Sequence, residues 1–149
     1  MDKNRIITKI AELDSYLEEL DKIKPDNFDS YIGSIEKKRA CERLFKISIE
    51  TVLDICNIII SELKLGLPSN EEQIFDKLLE KKIISNKIMP KLKGMKGFRN
   101  ILVHKYSEVK DELVFENIDN LEDFDYFKEE ILRFLKTQGK ENKIRKDKA

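Results

Sequence analysis

The sequence predicts an all-α domain, a bundle of four long helices plus a short one. Gly and Pro are scarce, at five and three residues, while 40% of the chain is hydrophobic and 39% charged, a balance that suits helices with one buried stripe and a charged outer face. Apolar residues recur at three- and four-residue steps through nearly the whole length, and turn-forming residues fall only between those stretches. At 149 residues the chain is long enough for one core and too short to expect two.

The first helix is expected from Asn4 to Lys22, where Ile6, Ile10, Leu13, Leu17 and Leu20 make one stripe, with Pro25 and Asn27 ending it. A second, longer helix is expected from Ser30 to Leu65 with Ile35, Ala40, Leu44, Ile47, Thr51, Ile55, Ile58 and Ile59 inward, closed by Gly66 and Pro68. Ser69 or Asn70 followed by Glu71, Glu72 and Gln73 reads as a capped start, opening a short helix through Lys81 with Ile74, Phe75, Leu78 and Leu79 on its core face. The fourth begins after Ser85 or Asn86, with Pro90 tolerated in its first turn and Ile88, Leu92, Met95, Phe98 and Leu102 at helical spacing. A last helix is expected from Asp111 to Lys136, stopped by Gly139. The domain then spans residues 1–138 and a charged, flexible tail residues 139–149.

Formal net charge is zero, so no global field draws the protein toward nucleic acid or membrane. Local clustering does exist. Between Lys81 and Ser107 the chain carries Lys81, Lys82, Lys87, Lys91, Lys93, Lys96, Arg99 and Lys105 with no acid, and ten acids follow from Glu108 to Glu130. Cys41 and Cys56 fall in one expected helix, roughly 22 Å apart at about 1.5 Å per residue, too far to pair, and read as buried, reduced thiols. With one His and no Cys-x-x-Cys there is no zinc signature, and no metal or cofactor is expected. No signal-peptide core and no apolar run of membrane-spanning length is present, so the cytoplasm is the expected location.

Chemistry concentrates in Arg99, Asn100, His104 and Tyr106: a permanent cation, an amide, a base of near-neutral pKa and a phenol within eight residues. Cleaving RNA without a metal requires a group to deprotonate the ribose 2′-hydroxyl, another to protonate the leaving 5′-oxygen, and positive charge on the pentavalent phosphate. His104 and Arg99 supply the first and last. On an ideal helix the two lie about 140° apart, so either the helix unwinds after Leu102 or two protomers bring their copies together, whereas Tyr106 falls within about 20° of Arg99.

Arg99-Asn100-x-x-x-His104-x-Tyr106 resembles the HEPN ribonuclease motif in the form, with a trailing Tyr, that marks HepT-like toxins. Phe98-Arg99-Asn100-x-Leu102-Val103-His104, the upstream Glu50-x-x-x-Asp54-Ile55 and the apolar final helix extend the likeness from Arg5 to Leu135, although the run before Phe98 is unusually rich in Lys and Gly. The resemblance implies a HEPN-type helical fold, a homodimer whose two motif copies face each other, and metal-independent endoribonuclease activity on RNA such as tRNA or mRNA. It also implies the toxin role in a toxin–antitoxin pair, neutralised by a minimal nucleotidyltransferase antitoxin through binding and AMP transfer to Tyr106. His104 is then general base or acid, Arg99 the phosphate clamp and Asn100 an orienting partner. Lys91, Lys93, Lys96 and Lys105 are candidates to track RNA backbone, against the plainer reading of a solvated face. Arg99 has a second candidate role, pairing with Glu50 or Asp54 to set helix register, and the two roles can coexist. A competing function is a non-enzymatic helical binding module, or a substrate, for the partner nucleotidyltransferase.

Overall fold

The computed structural model describes residues 1–105, 107 and 109–148, with side chains described through Gln138. Among the described residues it is all helix, in seven pieces. Four are long, α1 (Lys3–Ile23), α3 (Ile35–Glu62), α5 (Met89–His104) and α7 (Glu122–Lys148), and three are short, α2 (Phe28–Ile32), α4 (Glu71–Glu80) and α6 (Asp111–Asp119). The four expected long helices are present. Two of the expected helices are split.

α1 begins where the Asp2 carboxylate accepts from Arg5 N at 3.2 Å and ends one residue before Lys24, whose extended backbone is the conformation that the following Pro25 imposes. All five predicted stripe residues are buried, and α1 packs most extensively along α3. The helix expected to run from Ser30 breaks at Gly33 and Ser34. A Cβ at Gly33 would sit 3.0 Å from the Asp29 carbonyl, and Ser34 Oγ accepts from Lys37 N at 3.3 Å, capping a new helix. Ile35 therefore opens α3 outside the core, 73% exposed, and the buried face runs through Cys41, Phe45, Ile49, Val52, Cys56 and Ile59. Burial pushes both thiols up and keeps them protonated. α3 ends four residues before Gly66, because Lys64 takes the left-handed position at φ 53°.

α4 starts as predicted. Asn70 Oδ1 accepts from Gln73 N at 3.0 Å while Gln73 Oε1 accepts from Ser69 N at 2.9 Å. Before α5, Ser85 donates through N and Oγ to the two Glu130 oxygens at 2.6 and 2.7 Å, fixing this connection to α7. Pro90 sits in the first turn of α5. The helix expected from Asp111 breaks where Asn120 turns extended and its Oδ1 accepts from Glu122 N at 3.1 Å. The break lets Val114 and Ile118 on one side and Phe124, Phe127, Ile131 and Leu135 on the other all reach the core. Leu113 and Leu132, which a single stripe would turn inward, are exposed. α7 runs through Gly139 to Lys148 rather than stopping there, since a glycine costs a helix interior only about 1 kcal/mol and the flanking residues are strong helix formers. No described helix is long and apolar enough to cross a membrane.

Phe45 is the centre of this packing. Its ring meets Phe98 of α5 edge-on at 5.5 Å and Phe124 of α7 edge-on at 6.0 Å, and only 3% of the residue is exposed. Phe45→Ala should lower the unfolding free energy by about 3–5 kcal/mol, read as a shift in urea midpoint at unchanged denaturant slope.

Candidate active site

α5 carries the polar cluster on its last turns. The helix stays regular to its end, where Lys105 N donates to Ile101 O at 3.0 Å, so it does not unwind after Leu102. Arg99 and His104 therefore keep the wide angular separation of a continuous helix, with Asn100 between them. The three side chains nonetheless border one open depression of about 550 Å³, together with Lys96, Lys105 and Glu71. His104 lies exposed at the helix end, where an imidazolium would face the negative end of the helix dipole. Tyr106 lies outside the described residues.

Arg99 has a defined partner, and it is neither Glu50 nor Asp54. Its Nη2 donates to Glu71 Oε1 and Oε2 at 2.6 and 2.7 Å, tying α5 to the first turn of α4, and its side chain is only 14% exposed. Asp54 faces α1 instead, where it meets Lys9 at 3.6 Å. The physical reason is orientation: α4 runs antiparallel to α5 and presents its first-turn acids to the α5 cations, while α3 meets α5 through Phe45 against Phe98. Arg99 Nε is buried without a hydrogen-bond partner. Among the described residues Nη1 is then the guanidinium nitrogen that has no partner and is not shut away, which leaves it open to an anion.

The neighbouring lysines follow the same ladder. Lys96 pairs with Glu72 at 3.7 Å and Lys93 with Asp76 at 3.6 Å, both on α4, while Lys91 reaches across to Asp123 of α7 at 2.8 Å. Of the four lysines considered for RNA contact, the depression brings in Lys96 and Lys105 and leaves Lys91 and Lys93 outside. Glu71 is the residue that sequence reasoning missed. Its position was legible as a helix start, and the spacing of Glu71, Glu72 and Asp76 against Lys93, Lys96 and Arg99 was the available signal, readable once α4 and α5 are known to be antiparallel neighbours. Among the described residues no three His, Cys, Asp or Glu side chains gather as a metal site would need.

Residues 7–131 match the family model described as Ribonuclease HepT-like. The chain is 28% identical over 138 residues to the tRNA nuclease HepT of Aphanizomenon flos-aquae, covering 92% of this chain and 94% of that protein. It is 30% identical over 132 residues to the mRNA nuclease HepT of Shewanella oneidensis, covering 82% and 92%. Its structure resembles that of the tri-AMPylated Shewanella oneidensis HEPN toxin in complex with MNT antitoxin, with a TM-score of 0.79 and 26% identity over 86% of this chain and 96% of that one.

The Glu71 to Arg99 pair makes a claim on stability independent of any activity. Removing either partner should cost roughly 1–2 kcal/mol, between the values for exposed and buried pairs. In a double-mutant cycle of Glu71→Ala and Arg99→Ala, urea unfolding should show a coupling of about 1 kcal/mol, and strict additivity would contradict the pairing.

Proposed function

The chain belongs to the Ribonuclease HepT-like family, and from that premise we propose that it is the toxin of a toxin–antitoxin pair, a metal-independent endoribonuclease. The observation that carries this reading is the convergence of Arg99, Asn100 and His104 on one open depression, with Arg99 anchored through Nη2 and open at Nη1. In this reading a backbone phosphate sits against Nη1 and its ribose 2′-hydroxyl is deprotonated by His104. The oxygen then attacks the adjacent phosphorus, the bond to the 5′-oxygen breaks, and the products end in a 2′,3′-cyclic phosphate and a 5′-hydroxyl. Arg99 neutralises the charge that builds on the pentavalent phosphate, a group it meets more strongly than the ground-state diester. Asn100, between the two on the helix, orients the substrate through its amide.

One helix face holds only part of this machinery. Because Arg99 and His104 stand far apart around α5, a homodimer that opposes two copies of the helix end would supply a second His104 to protonate the leaving oxygen. The partner in control is a minimal nucleotidyltransferase antitoxin that transfers AMP to Tyr106, two residues beyond His104. Adenylate there adds bulk and negative charge where a phosphate must bind, so both sterics and repulsion exclude RNA. The AMPylated HEPN toxin to which the chain is similar supports this part. The alternative, a non-enzymatic module that docks the nucleotidyltransferase, draws on the fact that Glu71 already neutralises Arg99.

Purified protein incubated with tRNA and with mRNA in EDTA separates the two. Wild type should cut and leave 2′,3′-cyclic phosphate ends, and His104→Ala or Arg99→Ala should slow cleavage by about 10²–10⁴ while melting within a few degrees of wild type. Intact RNA after exposure to folded wild-type protein would sink the enzymatic reading and leave the module. Co-expression with the nucleotidyltransferase should add about 329 Da per AMP to the intact mass, and Tyr106→Phe should abolish the gain.

A further inference from the structure

A second depression, of about 360 Å³, lies between α3 and α5 and is lined among the described residues by Arg39, Glu42, Arg43, Lys46 and Leu102. Arg39, Arg43 and Lys46 fall at i, i+4 and i+7, one face of α3. Leu102 comes from α5, two residues before His104, and projects about 160° around the helix from it. The groove and the candidate active site therefore lie on opposite sides of the end of α5. The helix stops there and the chain goes on toward α6, whose Asp111 meets Lys38 of α3 at 3.0 Å, so a strand passing from one to the other goes around an end about 10–12 Å wide, a few nucleotides of chain.

The charges in the two places differ in kind. At the candidate active site Lys96 and Arg99 each have a carboxylate of the same chain within 3.7 Å, as do Lys91 and Lys93 outside it. An incoming phosphate at those side chains must displace or face an acid. Arg43 and Lys46 have no acid partner among the described residues. In the same groove Arg39 donates to both Glu42 oxygens at 3.3 Å, and burial pushes that carboxyl up while Arg39 and Lys38 draw it down. With Arg39 and Glu42 set against each other, Arg43 and Lys46 contribute two positive charges to the groove. Binding to a nucleic-acid backbone gains from releasing counterions at such charges and gains little from a cation already neutralised.

We propose that this groove is a backbone subsite for RNA, in which Arg43 and Lys46 hold the phosphates of the strand leaving the active site around the end of α5. The proposal rests on the ribonuclease reading and extends it to where the substrate lies. The occupant follows from the lining. Its described lining is two arginines, a lysine, one carboxylate and one leucine, a set that offers point charges for phosphate.

The test uses full-length His104→Ala protein, which is meant to bind without turnover, and labelled single-stranded RNAs of about four and about sixteen nucleotides, read by fluorescence anisotropy across a salt series. Arg43→Ala with Lys46→Ala should weaken binding of the longer RNA roughly tenfold near physiological salt and lower its log–log salt slope by about 1.4, two contacts at about 0.7 each. Binding of the short RNA, which fills the active site alone, should stay unchanged. Arg43→Lys with Lys46→Arg should keep the slope, and Lys91→Ala with Lys93→Ala should also leave it as it was. Unchanged affinity and slope for the long RNA, in a double variant that melts like its parent, overturn the proposal. Loss of nucleotidyltransferase binding at an unchanged RNA slope overturns it in favour of a protein surface. If the parent protein binds neither RNA, the ribonuclease reading fails and the subsite with it.

Discussion

The contact of Phe45 with Phe98 and Phe124 holds in place a helix that has little reason to form alone. α5 contains Gly94 and Gly97, each costing about 1 kcal/mol against alanine, begins without a side-chain cap, and at 16 residues is near the lower limit for an isolated helix in water. A Cβ at either glycine would meet nothing within 4 Å, so the small residues are not required by packing inside the chain. What fixes α5 comes from outside it. Leu92 and Leu102 are buried, Phe98 is wedged against Phe45, and Ser85 anchors the approach to Met89 through Glu130.

The other side of α5 is held by charge. Glu71, Glu72 and Asp76 of α4 face Arg99, Lys96 and Lys93, and Asp123 of α7 faces Lys91. Individually the exposed pairs contribute little, in the range of 0–1 kcal/mol, but the ladder fixes the relative sliding of α4 and α5 as well as their contact. It also converts the basic stretch of the sequence into a locally neutral surface. The zero net charge of the chain, 29 basic against 29 acidic residues, is matched here by short-range pairing across this face, and donors that no acid engages are the ones open to an anion from outside.

This explains which parts were legible in the sequence. The stripes of α1, α4 and α5, the Asn70 cap and the inert thiols follow from local rules, and each is found where the residues place it. The breaks at Gly33–Ser34 and at Asn120 did not stand out, because apolar residues continue at helical spacing on both sides and a capping residue inside such a run is ambiguous until its side chain is seen to accept a backbone N–H. The face of α3 was misplaced at Ile35 for the same reason. Arg99 is the clearest case of information the sequence lacks. Its spacing from Glu50 and Asp54 is not a measure of distance, and the antiparallel placement of α4 makes Glu71 its partner across 28 residues of chain.

Arg99 and His104 differ in freedom as a result. Arg99 is largely enclosed and tied at Nη2, so its direction is already set, and under the proposed function a phosphate meeting Nη1 would cost it little entropy. His104 stands exposed as the last residue of α5, past the final buried position at Leu102, with no comparable tie among the described residues. A site built from one fixed charge and one solvent-facing base gains most from a second body that closes over the helix end, because that body lowers the local dielectric around both groups without having to move the arginine. The same exposure leaves the helix end open to control. In the proposed reading, a bulky anion attached just beyond His104 would block the phosphate position without touching the Phe45 core or the α4–α5 ladder, a switch that does not require unfolding the helix that carries the site.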